Sequence, residues 1–300
     1  MSTYHTPVLL EESVSALDIS GNGVYVDATF GGGGHSREIL SRLGPEGRLI
    51  AFDQDADALK NAPDDERLIL VHGNFRFIHN FVKYEGYDKV DGIIADLGVS
   101  SHQFDTEERG FSFRFDAPLD MRMNTQAVRN AEHIVNSYSE GDLERVFKLY
   151  GEVENGRRVA ELICRARETS PIRTTGDLGR AIESVLPKFS EHKYLAKIYQ
   201  ALRIEVNGEM TCLEGFMNGA SKCLRSGGRI AVITYHSLED RIVKNCFKSG
   251  NVTGIVERDI MGKGQSPYVI VTKKPILPEE EEIERNTRAR SAKLRVAQRR

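Results

Sequence analysis

The sequence contains no tryptophan, only four cysteines and no long apolar run. The cysteines are widely spaced and form no C-x-x-C pair, so neither a disulfide framework nor a zinc knuckle is predicted. No segment approaches the roughly 18 to 20 apolar residues that span a bilayer, and Glu11 and Glu12 lie where a signal peptide would be apolar. We therefore expect a cytoplasmic protein with reduced thiols that is neither secreted nor inserted into a membrane.

The charge is unevenly distributed along the chain. The 300 residues carry a formal net charge of −3, but every charged side chain from 285 to 300 is Arg or Lys. Residues 279–282, just before them, are all Glu. Two interpretations are open for the basic end: a solvated, frayed terminus, or an arm that binds a polyanion through guanidinium groups.

Short apolar runs alternate with segments of helical spacing in the first third of the chain. The runs cover residues 24–29, 48–52, 68–72 and 90–97. This alternation predicts an α/β fold with a parallel, doubly wound sheet. A fifth run, at 228–234, follows only after about 130 residues, which is too long for a simple crossover. We therefore assign 1–105 and 206–300 to the sheet domain and 106–205 to an inserted helical domain.

The chain after the fifth run predicts a helix at 238–248 and then two β runs, at 252–258 and 268–273. Two strands joined by a short loop pair antiparallel. Five parallel strands followed by an antiparallel hairpin are typical of the methyltransferase variant of the doubly wound fold, and less so of nicotinamide-dependent dehydrogenases.

A glycine-rich turn follows the first predicted strand, at residues 31–34. Glycines there let the backbone approach a ligand, although the third glycine of the dinucleotide fingerprint is replaced by Ser36. Asp53 ends the second strand, where an acid can accept hydrogen bonds from the ribose hydroxyls of an adenosine-containing cofactor. The alternatives are a flexible turn without a ligand and an Asp53 that only caps a helix.

Further candidates lie where later strands end. Phe75 follows the third strand, where it could border an adenine or simply pack in the core. Asp96 ends the fourth strand, where it could contact cofactor or substrate or cap its own loop. His236 and Asp240 follow the fifth strand one helical turn apart, where they could orient one another beside the substrate or merely begin a helix. No nucleophile elbow or metal-ligand spacing is present.

Arg and aromatic residues alternate between 103 and 123. This mixture suits RNA, because bases stack on aromatic rings while Arg contacts phosphates. A packed hinge between the sheet and the insertion is the alternative.

Eight blocks of sequence stand out in order along the chain. They are HTPVLLEE at 5–12, DATFGGGGHS at 27–36, DLGVSS at 96–101, ERGFSF at 108–113, PLDMRM at 118–123, QALRI at 200–204, HSLEDR at 236–241 and RSAKLR at 290–295. Together they closely resemble the bacterial ribosomal RNA small subunit methyltransferase H family, also known as MraW.

The resemblance implies an S-adenosylmethionine-dependent enzyme that methylates the exocyclic N4 of a cytosine in the decoding centre, at the P site, of 16S ribosomal RNA. Its partner would be the small ribosomal subunit, and a homodimer is compatible with it. The positions that match the family's cofactor site are Gly33, Gly34, His35, Asp53, Phe75, Asp96 and Gln103.

We assign catalysis to Asp96, with His236 or Asp240 as a proton acceptor. The predicted RNA contacts are Arg109, Arg114, Arg203, Arg288, Arg290, Lys293 and Arg295. Two positions depart from the family pattern: Lys197 replaces an arginine, and Tyr235 replaces a phenylalanine. Two rival functions are a nicotinamide-dependent oxidoreductase and a noncatalytic ribosome-assembly factor.

Overall fold

The structure, a computed structural model, describes residues 7–256 and 266–300. The chain divides into two compact units. Unit 1 comprises Met1–Gly98 and Met210–Arg300, and unit 2 comprises Val99–Glu209. No helix among the described residues is long and apolar enough to cross a membrane.

Unit 1 is built on a seven-stranded sheet with the order β3-β2-β1-β4-β5-β7-β6. The strands are β1 (Val24–Asp27), β2 (Arg48–Asp53), β3 (Leu68–His72), β4 (Val90–Asp96), β5 (Leu224–Thr234), β6 (Tyr268–Ile270) and β7 (Lys293–Arg299). β1 to β5 pair parallel, and β7 pairs antiparallel with both β5 and β6. The α/β class with parallel strands and a C-terminal antiparallel pair is thereby confirmed.

Helices of unit 1 connect and cover these strands. They are α1 (Leu10–Ala16), α2 (Gly34–Arg42), α3 (Ala56–Leu59), α4 (Ile78–Tyr84), α11 (Glu209–Cys223), α12 (Ser237–Ser249) and α13 (Glu280–Arg285). Two buried apolar clusters, centred on β4 and β5 and on β1 and α2, hold the helices against the sheet. β4 is almost continuously buried, as expected for a strand covered on both faces.

The antiparallel pair has different members from those predicted. Residues 252–256 form no strand, and 257–258 lie outside the described residues. The reason is local: Gly254 has a φ of 77°, and its N–H donates to Asn251 Oδ1 at 3.1 Å. Asn245 Nδ2 also donates to the Val252 carbonyl at 2.9 Å, so side-chain amides take backbone groups that a strand would pair. β6 pairs instead with β7.

The basic C-terminal end is neither frayed nor a free arm. β7 lies between β5 and β6, and it is in register with β5 from Gln298 opposite Arg229 to Lys293 opposite Thr234. Leu294, Val296 and Ala297 are fully buried. Residues 293–299 are therefore not a frayed terminus, because Leu294, Val296 and Ala297 belong to the core, whereas the binding of a polyanion by the exposed basic side chains stays a prediction.

Unit 2 is helical and has its own apolar core. Its helices are α5 (Ser101–Asp105), α6 (Ala131–Ser137), α7 (Glu140–Gly151), α8 (Gly156–Thr169), α9 (Thr175–Ile182) and α10 (Glu191–Asn207). α7 packs against α8 and α10, and it buries Leu143, Val146 and Phe147 on one face. Thr174 caps α9 by accepting the Asp177 N–H at 3.1 Å, as the Thr-x-x-Asp pattern favours.

Candidate active site

Three carboxylates end three adjacent strands of unit 1: Asp27 on β1, Asp53 on β2 and Asp96 on β4. The turn after β1 links the outer two. The Gly31 N–H donates to Asp53 Oδ2 at 2.8 Å, and the Asp96 N–H donates to Thr29 Oγ1 at 2.6 Å. The carboxyl edge of the sheet, where such folds bind ligands, is therefore held by this turn.

The turn itself requires glycine. Gly33 has a φ of 74°, and an added Cβ there would lie 2.8 Å from Phe30 Cζ. Gly31 has a φ of 52°, and an added Cβ would meet nothing closer than Thr29 O at 3.9 Å, so the space beside it is open. Gly34 begins α2. This arrangement fits a ligand that approaches the backbone closely.

His35 and Ser36, at the start of α2, are both buried. His35 Nε2 lies 3.2 Å from the Val8 carbonyl, and Ser36 Oγ donates to Asp27 Oδ2 at 2.7 Å. Ser36, which replaces the third fingerprint glycine, therefore partners a buried acid. Burial raises the pKa of Asp27 to about 6, although the hydrogen bond from Ser36 opposes the shift.

Asp53 is the candidate ribose acceptor. Its Oδ2 accepts the Gly31 N–H and its Oδ1 accepts the Asp55 N–H, each at 2.8 Å. A carboxylate oxygen has two lone pairs, so both oxygens retain acceptor capacity for a diol. Burial raises its pKa to about 6. The helix cap proposed as an alternative belongs to Asp55, which accepts the Asp57 N–H at 3.1 Å.

Phe75 lies just beyond β3 and is partly buried. Its ring meets that of Phe216 edge-to-face, with centroids 5.3 Å apart. Next to it, Asn74 Nδ2 donates to Gln54 Oε1 at 2.9 Å. Phe75 thus packs on the core, as the core alternative anticipated, and its contact with an adenine stays a prediction.

Asp96 is partly exposed and has an unexpected partner. The Tyr235 hydroxyl donates to Asp96 Oδ1 at 2.7 Å. Burial raises the pKa of Asp96 to about 7; the Tyr235 hydrogen bond lowers it, while the charge of Asp27 raises it further. The sequence alone assigns no role to Tyr235. Its position, at the end of the strand beside β4, was the signal that could have revealed the contact.

His236 and Asp240 do not orient one another. His236 caps α12, and its Nε2 lies 3.2 Å from Oε1 of Glu239, which is itself buried. Asp240 accepts two hydrogen bonds from Arg295, at 2.6 and 3.0 Å. Burial acts to raise the pKa of Asp240, but the Arg295 hydrogen bond and charge outweigh it, and the pKa falls. A carboxylate held in this way is a poor proton acceptor, which disfavours the catalytic role of Asp240; that role stays a prediction.

Three of the arginines predicted to bind RNA form hydrogen bonds within the protein. Arg109 is 9% exposed and donates to the carbonyls of Arg122 and Met123 at 2.9 and 3.1 Å. Arg203 donates to both carboxylate oxygens of Glu209, at 2.8 and 2.9 Å, and Arg295 binds Asp240. These groups are largely withdrawn from solvent, which disfavours an RNA contact, and their RNA roles stay predictions.

The other predicted contacts also stay predictions. Arg114, Arg288 and Arg290 are exposed, and Lys293 is partly exposed. Gln103 lies in unit 2, is 5% exposed and forms a capping box with Ser100, each side chain accepting the other's backbone N–H at 3.2 Å. Its cofactor contact stays a prediction.

Two features define an S-adenosylmethionine-dependent methyltransferase. One is the sheet order with an antiparallel β7, and the other is the hydrogen bond between the glycine-rich turn and Asp53. The antiparallel β7 and the use of Ser36 as a partner of Asp27 disfavour a nicotinamide enzyme. The model of the MraW methylase family matches residues 2–300, and the chain belongs to that family.

Curated relatives agree over nearly the full length. A protein of Parabacteroides distasonis named ribosomal RNA small subunit methyltransferase H is 55% identical over 298 residues, covering 99% of this chain and 98% of the relative. A protein of the same name from Flavobacterium johnsoniae is 55% identical over 295 residues, covering 98% and 97%.

Proposed function

We propose that this chain methylates the exocyclic N4 of a cytosine in the decoding centre, at the P site, of 16S ribosomal RNA in the cytoplasm. The relatives named ribosomal RNA small subunit methyltransferase H support an RNA substrate in the small subunit. The geometry of Asp96 supports an amine as the methyl acceptor, and it is the observation on which the proposal chiefly depends.

Asp96 has one engaged oxygen and one available oxygen. Oδ1 accepts the Tyr235 hydroxyl, whereas within residues 7–256 and 266–300 no hydrogen bond is made to Oδ2. An acceptor aimed at an amine N–H would draw the nitrogen lone pair out of conjugation with the cytosine ring and stabilise the positive charge that develops there. His236, close to Glu239, is the remaining candidate proton acceptor.

The other side chains position the reactants. Asp53 would bind the ribose hydroxyls, with Gly33, Gly34, His35, Phe75 and Gln103 completing the cofactor site. The bound cofactor supplies a methyl group on a positively charged sulfur, so alignment provides much of the acceleration. A paired or stacked cytosine must first be turned out of its helix, at a cost of a few kcal/mol.

The target base can be tested directly. We would compare, by mass spectrometry, 16S ribosomal RNA from cells with and without this gene, and then after complementation. We expect one cytosine to lose a methyl group on N4 in the deletion strain and to regain it on complementation. An unchanged methylation pattern, or a loss at a different base atom, would contradict the proposal.

Asp96→Asn tests the role of the carboxylate. The substitution preserves the Oδ1 acceptor for Tyr235 but removes the charge, so we expect kcat to fall by about 100-fold or more. The melting temperature should stay close to that of the wild type, with Asp105→Asn as a control. Wild-type turnover at saturating cofactor would exclude the assignment.

A further inference from the structure

We propose that a basic flank of unit 1, formed by Arg76, His79, Lys83, Lys89 and Lys222, binds the phosphate backbone of the substrate RNA. This inference rests on the proposed function and adds a surface that the sequence did not predict. None of its five residues is among the RNA contacts predicted from the sequence.

The flank is a continuous surface on two packed helices. Arg76, His79 and Lys83 follow one another at spacings of three and four, which places them on one face of α4 and the turn before it. α11 packs closely beside that face: an added Cβ on Gly219 would lie 2.7 Å from Ile78 Cγ2.

Three lysines gather around the His79 imidazole. Lys89 Nζ donates to the Lys222 carbonyl at 2.6 Å, which joins the residue before β4 to the end of α11. The pKa of His79 is lowered by burial and then by the charges of Lys83, Lys222 and Lys89. Three positive side chains therefore act on this imidazole.

The four strongly basic side chains of this flank form no ion pair with a described residue. Among the described residues, no carboxylate lies within ion-pair distance of Arg76, Lys83, Lys89 or Lys222, and all four are exposed. Arg109, Arg203 and Arg295, in contrast, pair with carboxylates or carbonyls. A cluster of unpaired cations in a chain of net charge −3 repels itself, and a bound polyanion would relieve that repulsion.

Exposed aromatic rings lie beside the cations. Phe77 is 48% exposed, and the guanidinium carbon of Arg76 lies 4.9 Å from its ring centroid. Tyr84, next to Lys83, is 83% exposed. Rings that can stack on unpaired bases, next to cations that contact phosphates, favour RNA over an acidic protein as the partner.

The flank also starts at the active-site edge. Phe75, a candidate cofactor residue, begins the short helical turn that contains Arg76 and leads into α4. Lys89 lies directly before Val90, where β4 begins at the opposite edge of the sheet. RNA bound along this flank would therefore run towards the carboxyl edge that holds Asp96.

The test is a charge-neutralised variant, Arg76→Gln/Lys83→Gln/Lys222→Gln. Its matched control, Lys248→Gln/Lys273→Gln/Lys274→Gln, removes the same number of positive charges from exposed positions elsewhere in unit 1. Binding to protein-free 16S ribosomal RNA and to small subunits from the deletion strain would be measured at several salt concentrations, together with cofactor affinity and melting temperature.

We expect the flank variant to bind RNA about five-fold or more weakly and to lose about 2 from the slope of log affinity against log salt, since each phosphate contact contributes about 0.7 for single strands. KM for RNA should rise while cofactor affinity and melting temperature stay unchanged. The control should behave as the wild type.

Three results would overturn the inference: an unchanged salt slope, an equal loss in the control variant, or a loss of binding to assembled subunits without a loss for naked RNA, which would indicate a ribosomal protein as the partner. If the wild type methylates no cytosine, the proposed function fails instead, so the two failures are distinguishable.

Discussion

At the scale of single residues, the hydrogen bond between Tyr235 and Asp96 joins the ends of two neighbouring strands. The hydroxyl fixes one carboxylate oxygen and favours the ionised form, against the burial that favours the protonated form. A phenylalanine at this position could not form the bond. We therefore expect Tyr235 to set the pH range in which Asp96 is an acceptor.

Tyr235→Phe should raise the pKa of Asp96 above its present value of about 7. The apparent pKa of the acidic limb of the kcat/KM–pH profile should then rise by about one unit, because a hydrogen bond to a charged group contributes about 1.5 to 3 kcal/mol. The variant should lose more activity at pH 6.5 than at pH 8.5. Tyr84→Phe, an exposed tyrosine, is the control, and superimposable profiles would refute this role.

The sequence could reveal residues that act near their neighbours in the chain or at fixed offsets from them. The glycine turn and Asp53 were predicted because their spacing follows from strand-turn-helix geometry, and the structure joins them through the Gly31 N–H. The Asp240–Arg295 pair spans 55 residues, and no local pattern announces it. The sequence therefore predicts separate roles for the two residues, a proton acceptor and an RNA contact, and does not predict the ion pair between them.

At the scale of elements, that ion pair connects α12 to β7. Both side chains are largely withdrawn from solvent, at 15% and 13% exposed. We expect Asp240→Ala and Arg295→Ala each to lower the free energy of unfolding by about 1 to 3 kcal/mol, with the double variant less unstable than the sum. kcat of the folded enzyme should be unchanged. A loss of kcat confined to Asp240→Ala would restore a catalytic role.

The second prediction at the scale of elements concerns the removal of β7. A chain ending at Ala292 lacks the strand between β5 and β6, including Leu294, Val296 and Ala297. We expect this shortened chain to lose cooperative thermal unfolding, which circular dichroism would measure. The full-length control Arg288→Gln/Arg290→Gln/Lys293→Gln removes basic charges but keeps the strand, and it should unfold like the wild type. A truncated chain that still melts cooperatively would contradict this assignment.

The elements most reliably predicted were those with a strong period. The parallel strands and the helix after β5 follow from apolar runs and helical spacing. β7 was missed because the Arg and Lys residues of RSAKLRVAQRR conceal an alternating pattern in which Leu294, Val296 and Ala297 are buried. Basic side chains on a strand extend past its faces into solvent, so charge alone does not indicate a disordered end.

At the scale of the whole molecule, three buried or partly buried acids at one sheet edge give stability an unusual pH dependence. The pKa values of Asp27 and Asp53 are about 6 and that of Asp96 is about 7, all above the ordinary 3.8. The folded state therefore binds these protons more tightly, and the stability that they contribute is lost as pH rises from about 4 to 7. Asp65, with a pKa of about 2, acts in the opposite direction but below pH 4.

Asp27→Asn should flatten this dependence. Measured by urea unfolding, the stability of the variant relative to the wild type should increase between pH 4 and pH 7 by up to about 3 kcal/mol, since one pKa unit corresponds to about 1.4 kcal/mol. The absolute stability of the variant is not the readout, because the bond from Ser36 also changes. Parallel curves for the two proteins would show that Asp27 has no raised pKa.

The pairing of β4 with β5 also determines how the chain must fold. In the sequence, β4 comes before the whole of unit 2 and β5 comes after it, so their contact closes a very long loop. Such non-local pairing slows folding. During synthesis, the edge of β4 that pairs with β5 stays unpaired until more than a hundred further residues have been translated. An unpaired, almost wholly apolar strand edge is a site for misassociation. Early, independent collapse of unit 2 would shorten this vulnerable interval by drawing the two distant strands together.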